Sequence, residues 1–175
     1  MSLTTVQKPL WDEREDALYD AELSALYHQK RERFFELLDK LSKAASLIGG
    51  SAALWKIADP EVVQGIAMFI AVTSALSLVF SFSDRSRRHA ELVSAFRLII
   101  AEIAAKGKRH ATEEDINSWH GKIRTLEAKE PPALAALVTL CQNELALAAE
   151  QPHNVHPQPV WVRALVHFFD MPRKN

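Results

Sequence analysis

Four hydroxyls, Thr73, Ser74, Ser77 and Ser81, sit inside an otherwise apolar run, and three of them recur at i, i+4 and i+8. On a helix that spacing puts Thr73, Ser77 and Ser81 on one face, with Ser74 beside it. Such a face has two uses. Its hydroxyls bond to a neighbouring helix or to carbonyls of their own backbone, or they line an aqueous path when several copies assemble. Nothing nearby activates them as nucleophiles: the chain has no G-x-S-x-G, no glycine-rich phosphate loop, no CxxC and no HExxH.

The remaining chemistry-bearing side chains are scattered. His153 and His156 share the stretch QPHNVHPQP and could meet a third metal ligand, but a pair in a proline-rich linker reads first as solvated. His28, His89, His110, His120 and His167 are too dispersed to argue together. Cys141 falls on the apolar face of its helix, as a small hydrophobe rather than a reactive thiol. Thr112 followed by Glu113, Glu114 and Asp115 is a helix start, with an N-cap hydroxyl and acids facing the helix dipole. No enzyme, no cofactor and no metal is expected. Arg85, Arg87 and Arg88 directly follow the apolar run. They read as an orientation anchor touching anionic lipid headgroups, the alternative being a phosphate or nucleotide site, which would need a concave surface.

The element that must position the hydroxyls is residues 62–83, VVQGIAMFIAVTSALSLVFSFS, 22 residues without a charge. As a helix it would be about 33 Å long and apolar on every side, which fits either a membrane span or the centre of a soluble bundle. Residues 44–55 hold 12 more uncharged positions. Extended to 37–58, with Lys40, Lys43 and Lys56 snorkelling and Trp55 at an interface, they reach spanning length. Ala45, Gly49 and Ala53 form a small-residue ridge, and Ala67, Ala71 and Ala75 form a matching one, so two spans could pack closely. The short link with Asp59-Pro60 makes them antiparallel. Basic residues outside this pair (Lys30, Arg31, Arg33, Lys40 and Lys43 before it, the three arginines after it) put both termini in the cytoplasm.

Around the pair the spacing predicts helices throughout. After a loose tail over 1–13, a long amphipathic helix to Leu41 carries Leu23, Leu26, Tyr27, Phe34, Leu37, Leu38 and Leu41 in a coiled-coil-like seam. Leu92, Val93, Phe96, Ile99, Ile100 and Ile103 form a stripe ended by Gly107. Ile116, Trp119, Ile123 and Leu126 form the next, and Leu134, Leu137, Val138, Cys141 and Leu145 another. A last short helix over 160–169 shows Trp161, Leu165, Phe168 and Phe169. The expected fold is therefore all-α: long amphipathic helices flanking a two-helix transmembrane hairpin, with a cytosolic helical bundle. Its regions are 1–43, 44–83, 84–150 and 151–175. With 21 basic and 22 acidic residues in 175, no global positive field points to nucleic acid. One cysteine and no secretory signal fit a reducing cytoplasm.

The lead-in from Leu26-Tyr27 to Leu41, the hairpin, Ser83-Asp84-Arg85-Ser86-Arg87-Arg88, and the acidic helix around Trp119 ending Ala128-Lys129-Glu130-Pro131 together resemble the SLATT family over roughly residues 17–150. Those are two-transmembrane effector domains associated with bacterial nucleotide-second-messenger defence systems. The resemblance implies a protein of the bacterial inner membrane that oligomerises, forms a pore or perturbs lipid, and has no catalytic residues. No sensor or synthase domain is present in the sequence, so the trigger would come from a separate sensor or nucleotide-synthase protein. The competing expectation is a soluble, cytoplasmic all-α assembly protein, a phage or toxin-system component, with residues 62–83 as its buried core helix.

Overall fold

Low glycine content and uninterrupted three-and-four spacing leave the backbone little choice but helix. The computed structural model describes the backbone of residues 7–54 and 60–170, and their side chains apart from 7–9, 49–54 and 78. Among the described residues there are six α-helices, one 3₁₀ turn and no strand. They are α1 (Gln7–Leu54), α2 (Pro60–Phe80), α3 (Phe82–Lys106), α4 (Glu113–Glu127), α5 (Ala135–Ala148), the 3₁₀ turn Pro152–Asn154, and α6 (Val160–Leu165). Residues 7–13, expected as a tail, are instead the first turns of α1. Pro9 is tolerated there because the first four N–H groups of a helix have no intrahelical partner anyway. At 48 residues α1 is about 72 Å long.

Contacts divide the chain into two units: Met1–Lys30 with Ala90–Asn175, and Arg31–His89. The first unit has two apolar clusters. In one, Ala17, Ala21 and Ala25 of α1 meet Leu92, Phe96, Ile99 and Ile103 of α3 and Ile116, Trp119 and Ile123 of α4. The α3 and α4 stripes are those the spacing predicts. The alanines are the unexpected members: at four-residue spacing they let α1 approach close enough to bury Phe96 completely. In the other cluster Tyr27 meets Ala136, Leu137 and Cys141 of α5 and Val166, just beyond α6.

Helix ends in this unit are closed by specific partners. Gly107 takes a left-handed φ of 75° after α3, the conformation for which glycine is suited. The buried Arg14 guanidinium donates to the Ile103 carbonyl at 3.3 Å, one of the last-turn acceptors of α3. Thr112 is the N-cap of α4, as expected, and completes a capping box with Asp115. The Tyr27 hydroxyl accepts from the Leu134 N–H at 3.1 Å, and Asp170 accepts from the Ala135 N–H at 3.0 Å, so two of the open donors at the start of α5 are satisfied. The proline-rich stretch after α5 is tied down. Buried Asn143 exchanges two 2.7 Å hydrogen bonds with the backbone of His156, and Gln158 donates to the Ala136 carbonyl.

In the second unit, residues 31–48 of α1 run antiparallel to α2 and the start of α3. Ser46 Oγ lies 3.4 Å from Ser74 Oγ, while the Ser86 hydroxyl donates to the Glu32 carbonyl at 3.4 Å. The two-helix transmembrane hairpin is nevertheless corrected. Among the described residues only the apolar helix at the start of Pro60–Lys106 is long and apolar enough to cross a membrane. The intended first arm, 37–58, is the end of α1 as far as Leu54, and residues 55–59 lie outside the described chain. What disqualifies α1 is charge: Glu36, Asp39, Lys40 and Lys43 interrupt it, joined as Lys40–Glu36 and Lys43–Asp39 pairs at 2.6 Å. Leu37 and Leu41, expected in a seam, are exposed.

Candidate membrane interface

The 21 residues of α2 span about 32 Å, close to a bilayer's hydrocarbon thickness of roughly 30 Å. None of its most apolar stretch is buried. Met68 is 70% exposed, Phe69 60% and Val79 76%, and Val62, Val72, Leu76 and Phe80 are exposed too. A soluble monomer seldom shows so large a continuous apolar surface; such surfaces mark a membrane or a partner.

One side of α2 is partly covered: Val63, Ile66, Ile70, Thr73, Ser74 and Ser77. Their three-and-four spacing is a single face, and Ser74 marks it as the face toward α1. Three of the four sequence-selected hydroxyls therefore lie on the α1 side. Thr73 donates back to the carbonyls of Phe69 and Ile70, and on α1 Ser46 donates to the Ser42 carbonyl at 3.0 Å. Bonding to the residue four back is how a hydroxyl is satisfied in apolar surroundings. The ridge Ala67, Ala71 and Ala75 is exposed, so it is not the face packed against α1 in this chain. Of the partner ridge, Ala45 is half-buried and the side chains at Gly49 and Ala53 lie outside the description.

Ser81, the fourth hydroxyl, separates α2 from α3. Its φ of 46° is left-handed, a conformation costly for a residue with a Cβ. Hydrogen bonds continue across the break, from Ser81 N–H to the Ser77 carbonyl and from Arg85 N–H to the Ser81 carbonyl, both 3.0 Å. Phe80 and Phe82 stack across the break at 5.9 Å.

Beyond it the surface is basic. Arg85, Arg87 and Arg88 are exposed at the start of α3. The α1 side adds residues that spacing alone did not single out. The Phe35 ring is buried, with the Arg31 guanidinium carbon 4.5 Å from its centroid, that of Arg85 5.8 Å away, and the His89 ring stacked on it at 5.6 Å. The i, i+4 spacing of Arg31 and Phe35 was the available signal; that Arg85 and His89 join them could not be read from it.

The other candidates lie in the first unit. Cys141 is fully buried, and burial pushes its thiol up to about 12. Asp115 is held down to about 2, first by the Thr112 backbone and hydroxyl and then by Lys106. Among the described residues no three His, Cys, Asp or Glu side chains gather in a metal-ligand cluster, and His153 and His156 belong to the pinned linker.

Among the described residues, fold and surface together define a class: an all-α protein with one largely exposed apolar helix of membrane length and a basic rim at that helix's C-terminal end. The chain matches no protein-family model, no curated protein and no solved structure.

Proposed function

We propose that this chain is a non-enzymatic membrane effector of a bacterial defence system, in which α2 enters the inner membrane and copies assemble to permeabilise it. The observation that carries the reading is the nakedness of α2. Its apolar side chains are exposed around most of the helix over a bilayer's thickness, and lipid is the medium in which that arrangement costs nothing. The charge bias supports an orientation with the rim on the cytoplasmic side: Arg85, Arg87 and Arg88 follow the C-terminal end of α2, and Glu61 lies at its N-terminal end. The layout's resemblance to the SLATT family supports the defence setting, with the stimulus supplied by a separate sensor or nucleotide-synthase protein.

Two measurements test the reading. The full chain should remain in the membrane fraction through carbonate extraction, and induced expression should depolarise cells in a manner lost when residues 60–80 are replaced by a polar helix. A detergent-free, monodisperse oligomer in the soluble fraction would replace this reading with the alternative, an all-α assembly protein whose copies cover α2 for one another. The exposed apolar face of α2 supports that alternative equally in kind; partition separates the two.

A further inference from the structure

The short helix α6 and the turn after it are held to their unit on one side. Val162 and the buried Val166 pack into the apolar cluster that contains Leu137 and Cys141 of α5. Both ends are pinned. Before the helix Gln158 donates to the Ala136 carbonyl at 2.9 Å, and after the turn Asp170 accepts from the Ala135 N–H at 3.0 Å. The other side is exposed and apolar. Trp161 is 61% exposed, Phe168 58% and Phe169 59%, and Val160 and Leu165 are exposed with them. Trp161, Leu165 and Phe168 recur at i, i+4 and i+7, which is one helical face. The pins at both ends keep the element from rolling that face inward, so the rings stay in contact with the surroundings.

Size and charge narrow what covers this face. A stable protein interface recruits about 20–30 residues a side, far more than these five side chains. A bilayer surface asks for less: a few aromatic and aliphatic side chains at the headgroup boundary, with cations beside them. The cations are present. Arg163 is exposed on α6, and Arg173 and Lys174 follow in the sequence. The single acid within residues 151–175 is Asp170, whose carboxylate is engaged at the start of α5.

We propose that the outer face of α6 and its following turn, carried by Trp161, Leu165, Phe168 and Phe169, docks on the surface of a bilayer containing anionic phospholipid. The rings enter the boundary between headgroups and acyl chains, and Arg163 meets lipid phosphate. The contact is peripheral and distinct from α2. It does not depend on α2 being inserted, because its apolar face and its charges are its own.

The test places an environment-sensitive fluorophore on the full chain through Ala164→Cys, an exposed position between Trp161 and Phe168 that leaves the rings intact. Ser118→Cys, exposed on α4 of the same unit, is the reference, and the native Cys141 is buried. The chain is reconstituted into vesicles of phosphatidylglycerol with phosphatidylcholine, or of phosphatidylcholine alone, each with and without a nitroxide-bearing lipid as quencher. With phosphatidylglycerol the probe at 164 should shift to the blue and be quenched by the nitroxide lipid, while the probe at 118 stays water-like. Trp161→Ser with Phe168→Ser should lower the ratio of docked to free probe by about tenfold or more. Arg163→Gln should lower it by about fivefold. Circular dichroism checks that each variant keeps its helical content. A water-like probe at 164 in the folded chain overturns the proposal, as does equal quenching with phosphatidylcholine alone. Shielding without quenching by the nitroxide lipid, growing with protein concentration, would assign the face to a second copy and overturn the lipid surface. Carbonate extraction is read separately. If the chain is released, the reading of α2 as inserted fails, and the same probes are read on the soluble chain with vesicles added.

Discussion

His28 Nε2 and Glu130 Oε1 stand 2.9 Å apart, joining the middle of α1 to the turn between α4 and α5. The imidazole is fully buried, stacked on Phe96 at 5.9 Å and edge-on to Tyr27 at 5.2 Å, while the carboxylate is 15% exposed. The pair links the two apolar clusters of its unit, because Phe96 belongs to one and Tyr27 to the other. Glu130→Ala leaves the buried ring without this carboxylate and should cost about 1–3 kcal/mol. His28→Leu with Glu130→Leu removes both polar groups and should cost less than Glu130→Ala. Thermal unfolding of the single and double variants checks the order.

The capping box makes one part of the stability depend on acid. Free aspartate titrates near 3.8, and Asp115 in the fold near 2, so the folded state favours its charged form. That contribution is complete above about pH 4 and fades as pH falls toward 2. Asp115→Asn should therefore narrow the gap in melting temperature to wild type as the pH is lowered through this window. Thr112→Ala, which removes the capping hydroxyl, should cost about 1 kcal/mol at neutral pH.

Cys141 should be inert in the folded chain. With its thiol pushed up to about 12 and no exposed surface, almost no thiolate is available to a reagent at pH 8. Maleimide or iodoacetamide should label it slowly in the native protein at both pH 7 and pH 9, and rapidly once denaturant is added. Fast native labelling would mean that α5 does not bury this face.

The outward side of α2 separates lipid from water without reference to function. Met68 and Val72 are exposed, and in a soluble protein a lysine or arginine there would change stability by less than about 0.5 kcal/mol and improve solubility. At the centre of a membrane helix the same change costs roughly 2.5–3.5 kcal/mol. Val72→Arg should therefore release the chain from membranes in an extraction assay if α2 is inserted.

Ser81 carries a backbone conformation that a Cβ resists. Ser81→Gly should be neutral or stabilising by up to about 1 kcal/mol, while Ser81→Val, branched at Cβ, should destabilise by about 1–2 kcal/mol. Melting of the two variants in the same detergent gives the comparison. Similar losses in both would mean that the turn between α2 and α3 does not depend on the left-handed φ.

Helical content and the identity of most covered faces were legible in the residues themselves. The α3 stripe through Phe96 and Ile103, the Thr112 start of α4, the Trp119 face and the burial of Cys141 all follow from spacing, because a 3.6-residue repeat is local. The apolar run became α2 for the same reason. Tertiary structure alone decided which of several available faces would be used. Ala17, Ala21 and Ala25 are buried while Leu37 and Leu41 are exposed, since a small residue can permit contact as effectively as a large one can supply it. The hydroxyl side of α2, not its alanine ridge, turns to α1. Among the described residues, the charges of α1 leave one helix of spanning character where two were expected. Distances along the chain also hide the pairs His28–Glu130 and Phe35–Arg85, which are 102 and 50 positions apart in sequence. Pairing at that range depends on where helices turn back and in what register, and neither composition nor periodicity encodes that locally.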